Sequence, residues 1–200
     1  MGLRETKAKK IRKLILSEAL RLFKRDGYEQ TTMEGIAEAA EVSPSTLYRY
    51  FLSKDLILLN PLFGFNFPTV FSKHAVNLSA QEALAETIFE WAKWQDTNSE
   101  EILPIRSLID QTPAVYARVW DLAYQSAWGL KERLAEKLNV PEDDLHVDLS
   151  VRVFIFAIIG SVADRWRANA GKTSSMTYTK KVMKIFEEQR VLFPLKAPRQ

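Results

Sequence analysis

Apolar residues return at helical intervals along almost the whole chain and no convincing stretch alternates with period two, so the sequence points to an all-α fold. Ile11, Ile15, Ala19, Leu22 and Phe23 share one helical stripe, which Asp26-Gly27 terminates. Thr31 and Glu34 stand at capping-box spacing ahead of Ile36, Ala37 and Ala40. After a break at Glu41-Val42, Ser43-Pro44 supplies an N-cap and a proline for the first position of a third helix. That helix turns Leu47 and Phe51 inward at i, i+4, and a fourth helix starts near Ser53-Lys54-Asp55. Further on, the periodicity predicts helices over 80–96, 100–110, 114–138, 143–170 and 177–192, with Pro104 set to start or kink the second of them. The segment 60–68 is rich in Pro, Gly and Phe and reads as a junction. Two domains follow: a small helical one over 1–56 and a larger one over 57–200, which supports it.

Charge is distributed unevenly. The whole net charge of +3 resides in the first sixty residues, and Arg4, Lys7, Lys9, Lys10, Arg12 and Lys13 crowd together with only Glu5 opposing them. A basic N-terminal arm beside a neutral body suits a polyanion partner, although a solvated tail would have the same composition. With 46% hydrophobic and 26% charged residues the chain has ordinary globular usage. The absence of cysteine excludes disulfides, thiolate metal sites and cysteine nucleophiles. No secretory signal is visible, and the longest apolar run, residues 153–163, is shorter than the ~20 residues a membrane span needs. The expectation is a cytoplasmic protein with no membrane partner.

The second and third helices have the spacing of a helix-turn-helix, in which the second member enters the DNA major groove. On a helical wheel Pro44, Ser45, Thr46 and Arg49 reach base edges, and Arg49 is able to fork onto guanine. Tyr48 and Tyr50 carry hydroxyls suited to phosphates on either side, Lys54 adds a cation, and Thr31 and Thr32 hold the start of the second helix. An aromatic core patch is the plainer reading of this cluster, and for Phe51 it is the accepted one.

The stretch GYEQTTMEGIAEAAEVSPSTLYRYFLSKDLIL resembles the DNA-binding domain of the TetR/AcrR family of bacterial transcriptional regulators. The matching pieces are Gly27-Tyr28, Thr31-Thr32, Ile36-Ala37, Val42-Ser43, Thr46-Leu47-Tyr48, Tyr50-Phe51 and Lys54. Three positions depart from the family pattern. Glu41 replaces the turn glycine, Ser45 replaces another before Thr46, and Glu34 stands where relatives often carry a basic or polar base reader. The resemblance implies a homodimer on a palindromic double-stranded operator, with a small-molecule effector and, by analogy with most relatives, repression.

It also implies a helical C-terminal domain that dimerises and encloses a ligand. The residues offer material for both. Phe67, Phe71, Trp91, Trp94, Trp120, Tyr124 and Phe154 are the expected walls of a largely apolar pocket, with Arg106 among the candidates to orient the effector. Ala157, Gly160 and Ser161, with Val182, Ile185, Phe186 and Leu192 of the last helix, are the expected dimer interface. Catalysis is rejected. The two histidines, His74 and His146, complete no di-metal carboxylate motif, and no Gly-x-Ser-x-Gly, phosphate loop or dinucleotide fingerprint occurs, so no metal and no cofactor is expected. The remaining alternative is a ligand-independent regulator or architectural DNA-binding protein without an effector pocket.

Overall fold

A computed structural model of the chain describes residues 3–188, and the side chains of all of these except 3–5 and 158. Among the described residues the fold is all-α. Eleven α-helices follow one another: α1 (Leu3–Asp26), α2 (Met33–Ala39), α3 (Pro44–Tyr50), α4 (Lys54–Leu59), α5 (Phe67–Ala75), α6 (Ala80–Thr97), α7 (Ser99–Asp110), α8 (Pro113–Leu138), α9 (Leu145–Arg152), α10 (Gly160–Ala168) and α11 (Ser175–Glu188). A 3₁₀ turn (Asn60–Phe63) follows α4, and a π-helical segment (Val153–Ile159) joins α9 to α10.

The described chain up to Gly64, with Ser107–Arg118, forms one compact unit; Phe65–Arg106 and the described chain from Val119 form another. The first unit therefore runs past the expected seam at residue 56. Ile57, Leu58 and Leu59 of α4 are fully buried, and α4 packs on α1, so burial ties the helix to the N-terminal unit. Ile15, Leu16, Ala19, Leu22 and Phe23 of α1, Ile36 and Ala37 of α2, and Leu47 and Phe51 are the buried apolar residues of this small core. The basic run from Lys7 to Lys13 belongs to α1 itself and is no separate arm, because Lys, Arg and Leu are good helix formers with no breaker among them.

In the second unit α6 packs against α5 and α11. Phe71, Leu84, Ile88, Leu130, Leu134, Val147, Val151 and Phe154 form one buried cluster, and Trp91, Ala92, Val162 and Ala163 form a second. Helix α5 is unanticipated by periodicity, but its start carries a legible signal: the Asn66 side chain accepts from the Thr69 N–H at 2.9 Å, and Pro68 occupies the first turn. Pro104 lies inside α7 without ending it; its exposed position lets water reach the carbonyl it leaves unmatched. The helix expected over 143–170 begins at Leu145, where Asp144 caps it, and widens into π geometry at Val153. Leu145–Ala168 is thus continuous over 24 residues and is long and apolar enough to cross a membrane by composition. Its buried Val147, Val151, Phe154, Ile155, Val162 and Trp166 account for that character as a core helix. Leu192, expected on the last helix, lies outside the described residues.

Candidate nucleic-acid interface

Helix α2 starts where the Thr32 side chain accepts from the Gly35 N–H at 3.0 Å. The capping box expected from Thr31 to Glu34 therefore does not form. Thr31 is buried and donates to the Gly27 carbonyl at 2.8 Å, which closes the α1–α2 turn and withdraws its hydroxyl from the surface. Helix α3 starts as the sequence predicts: Ser43 Oγ accepts from the Thr46 N–H at 3.2 Å, donates to Thr46 Oγ1 at 2.9 Å and lies 3.0 Å from Ser45 Oγ. Three hydroxyls thereby cluster at the head of α3. Between the two helices Glu41 adopts φ 51°, so the turn keeps the left-handed residue that a glycine would supply without strain.

With Leu47 and Phe51 buried beneath it, α3 leaves Pro44, Ser45, Tyr48 and Arg49 exposed and Thr46 and Tyr50 half-buried. The Tyr48 hydroxyl donates across to Glu34 Oε1 of α2 at 3.2 Å. Partial desolvation and then the Glu34 charge push the phenol's pKa up, which keeps it a neutral donor. On the other flank the Tyr50 ring is approached by two guanidinium groups, Arg49 at 5.5 Å and Arg12 of α1 at 5.6 Å. An open groove of about 400 Å³ lies beside α1 and α2, with Arg21, Arg25, Gln30 and Thr32 on its walls.

Lys54 is placed differently from expectation. Its ammonium donates to the backbone carbonyls of Tyr28 at 2.7 Å, Thr31 at 3.2 Å and Glu29 at 3.3 Å, and stands 4.3 Å from the Tyr28 ring centre. All three donors are engaged. Burial, then the charges of Asp55 and Glu29, push the Tyr28 phenol well up, so Tyr28 remains neutral beneath the cation. Sequence reasoning does not single out Tyr28 or Arg12. Gly27-Tyr28 was visible as a motif, whereas nothing local ties Arg12 to a tyrosine in another helix.

The residues expected to wall an effector pocket separate into three groups. Phe71, Trp91 and Phe154 are buried core, and Phe67, Trp94 and Arg106 are half-buried. Trp120 and Tyr124 lie on the outside of α8, with Trp120 stacked on Phe156 at 5.6 Å. Phe67 fills its own surroundings with rings: Phe65 at 4.8 Å, Phe154 at 5.7 Å and Trp91 at 6.5 Å. A niche of about 20 Å³ lies among Tyr124, Trp128, Lys131, Arg152 and Phe156, room for little more than a water molecule. Of the expected dimer residues, Ala157 and Ile185 are exposed and Gly160 and Ser161 half-buried, but Val182 and Phe186 pack onto the buried clusters of their own unit.

Residues 15–60 match the family model described as bacterial regulatory proteins, tetR family. The HTH-type transcriptional regulator TcmR of Streptomyces glaucescens is 49% identical over 61 residues, which are 30% of this chain and 27% of that protein. The matched segment thus spans about a quarter of the curated relatives' length. Over 92% of this chain and 96% of the other, the fold is similar to that of NalD, the secondary repressor of the MexAB-OprM multidrug efflux pump in Pseudomonas aeruginosa (TM-score 0.58, 18% identity). It is also similar to Thermus thermophilus FadR, a transcriptional repressor in complex with lauroyl-CoA, over 94% and 98% of the two chains (TM-score 0.54, 22% identity). Over residues 15–60 the chain is thus similar to the tetR family of bacterial regulatory proteins.

Proposed function

We propose that this protein is a cytoplasmic, homodimeric, DNA-binding transcriptional regulator that represses until a small, largely apolar effector releases it from a palindromic operator. The supporting observation is the exposed face of α3. Three hydroxyls at its head, Arg49 beyond them and a tyrosine on each flank match the split between base edges and phosphates that a major-groove helix needs. Ser43, Ser45 and Thr46 meet bases, Arg49 forks onto guanine, and Tyr50 and the exposed Thr32 border the backbone, while the Tyr48 hydroxyl is given to Glu34. Lys54 acts indirectly, by fixing the turn that presents α2.

Two half-sites need two copies. In the larger unit Trp120, Tyr124 and Trp128 of α8 and Leu145, Leu149 and Ala157 of the helical run that follows stay exposed, and these apolar residues supply the dimerisation surface. It replaces Val182 and Phe186, which are turned inward. The ring packing around Phe67 favours one second reading, a regulator that takes no effector. A panel of aromatic and acyl compounds, screened by thermal shift and by release of bound DNA, separates the two. For DNA binding itself, selection from random duplexes followed by anisotropy titration across salt is the test. The expected result is a palindromic consensus, an affinity that falls steeply with salt, and a loss of preference in Arg49→Ala. No enriched sequence, or equal affinity for every duplex, would sink the reading.

A further inference from the structure

Glu34 is the odd charge on the α2–α3 surface. It is exposed in the first turn of α2, no cation pairs with it among the described residues, and the Tyr48 hydroxyl of α3 holds its Oε1 at 3.2 Å. The bond joins the two helices, so the carboxylate is fixed in place beside the head of the proposed recognition helix. A carboxylate offers about four acceptor positions and no donor. One is engaged by Tyr48, and Oε2 remains open.

A fixed, spare acceptor on a surface meant for a polyanion has a narrow set of partners. Phosphate repels it. In the major groove, guanine N7 and O6, adenine N7 and thymine O4 are acceptors and repel it too. Only exocyclic amino groups donate there, and adenine N6 sits beside the repelling N7, whereas cytosine N4 has no neighbouring acceptor on its own base. We propose that Glu34, positioned by Tyr48, is a specificity-determining residue that accepts from the N4 amino group of one cytosine in each half-site and disfavours every register lacking it. The inference rests on the DNA-binding reading above. Glu34 is then both a contact and a penalty: at a non-cognate site its charge faces the backbone potential with nothing to offset it.

The experiment compares full-length wild type, Glu34→Ala, Glu34→Gln and Tyr48→Phe by selection from random duplexes, then by titration on the consensus and on single-base variants. Unfolding curves check that each variant is folded. Wild type is expected to prefer cytosine at one position per half-site by about tenfold. Glu34→Ala should lose that preference while keeping the others, and should bind unrelated DNA several-fold more tightly at low salt. Glu34→Gln, which donates as well as accepts, should move the preference toward adenine. Tyr48→Phe should keep cytosine with weaker discrimination. If Glu34→Ala and Glu34→Gln select the wild-type consensus with unchanged discrimination at every position, Glu34 is an ordinary surface charge and the proposal is overturned. If wild type enriches no sequence, the DNA-binding reading fails first and takes the proposal with it, an outcome distinct from unaltered discrimination.

Discussion

At Lys54 three backbone carbonyls surround one ammonium, and the residues that supply them lie 23–26 positions earlier in the chain. The motif made Lys54 visible, but sequence spacing carries no information on a partner so distant, and its role as a brace is legible only in three dimensions. Lys54→Met keeps the stem's volume and removes the donors from three carbonyls. It is expected to cost roughly 1–3 kcal/mol of stability in urea unfolding, and to leave the salt slope of DNA binding unchanged. A slope shallower by about one with stability intact would restore Lys54 as a direct phosphate contact. Glu41 is the converse case, because its departure from the family pattern was visible at once. Its φ of 51° shows that the turn kept its shape and accepted the strain. Glu41→Gly is therefore expected to stabilise the protein by about 0.5–1 kcal/mol, the left-handed strain partly offset by glycine's greater unfolded-state entropy. A lowered Tm would mean that the Glu41 side chain makes a contribution its backbone conceals.

At the scale of elements, a cap beside its helix is legible at Ser43 for α3, whereas at α2 the spacing points to Thr31 and the cap is Thr32. Spacing is silent on a partner that comes from elsewhere in the chain. Helix α11 starts under two caps: the adjacent Ser174 Oγ accepts from the Thr177 N–H at 3.1 Å, and Asp96, near the end of α6, accepts from the Ser175 N–H at 2.6 Å and the Met176 N–H at 3.1 Å. No spacing rule connects residues 79 positions apart. Asp96→Ala should cost about 1 kcal/mol and loosen α11 first, visible as faster amide exchange at Ser175 and Met176 than in the rest of that unit. The α8–α9 contact has a charge of the same non-local kind. Asp148 meets Arg152 at 2.6 Å and Lys131 at 3.0 Å, and these hydrogen bonds hold its carboxyl below the ordinary aspartate value of 3.8. A depressed pKa in the folded state means the stabilisation is fully present above that ordinary value and is lost as pH falls through the folded one. Asp148→Asn should therefore be less stable than wild type at neutral pH, with the difference closing below pH 3.8. A gap that persists undiminished into acid would show that the pair's charge is not its contribution.

For the whole molecule, the all-α class follows from periodicity, but no composition shift marks Ser107–Arg118 as part of the N-terminal unit, and the sequence assigns the wrong side to several aromatic residues. The stripe Trp120, Tyr124 and Trp128 reads as wall or core because large rings are usually inside. Helix α8 is apolar on two sides, however, and the smaller Val119, Ala127, Leu130 and Leu134 take the inner one. Periodicity fixes which residues share a face and cannot say which of two apolar faces a helix buries against its own unit. Trp128 is left 55% exposed and Leu149 44% exposed, a cost that a second copy would remove. Trp128→Glu with Leu149→Glu places two charges where a partner would sit while disturbing little of a single copy's core. Sedimentation of wild type should give a species near twice the 23.0 kDa chain mass, and the double variant a folded species near 23.0 kDa. The monomer should bind a single half-site as before and lose its advantage on the palindrome, because only the dimer fixes the spacing of two α3 helices. Val182→Glu is the contrasting variant: Val182 packs on the buried clusters of its own unit, so a charge there should lower Tm instead of dissociating a folded dimer. A double variant that stays dimeric would move the interface off α8 and α9, and a wild type that is monomeric at every concentration would remove the need for an interface at all.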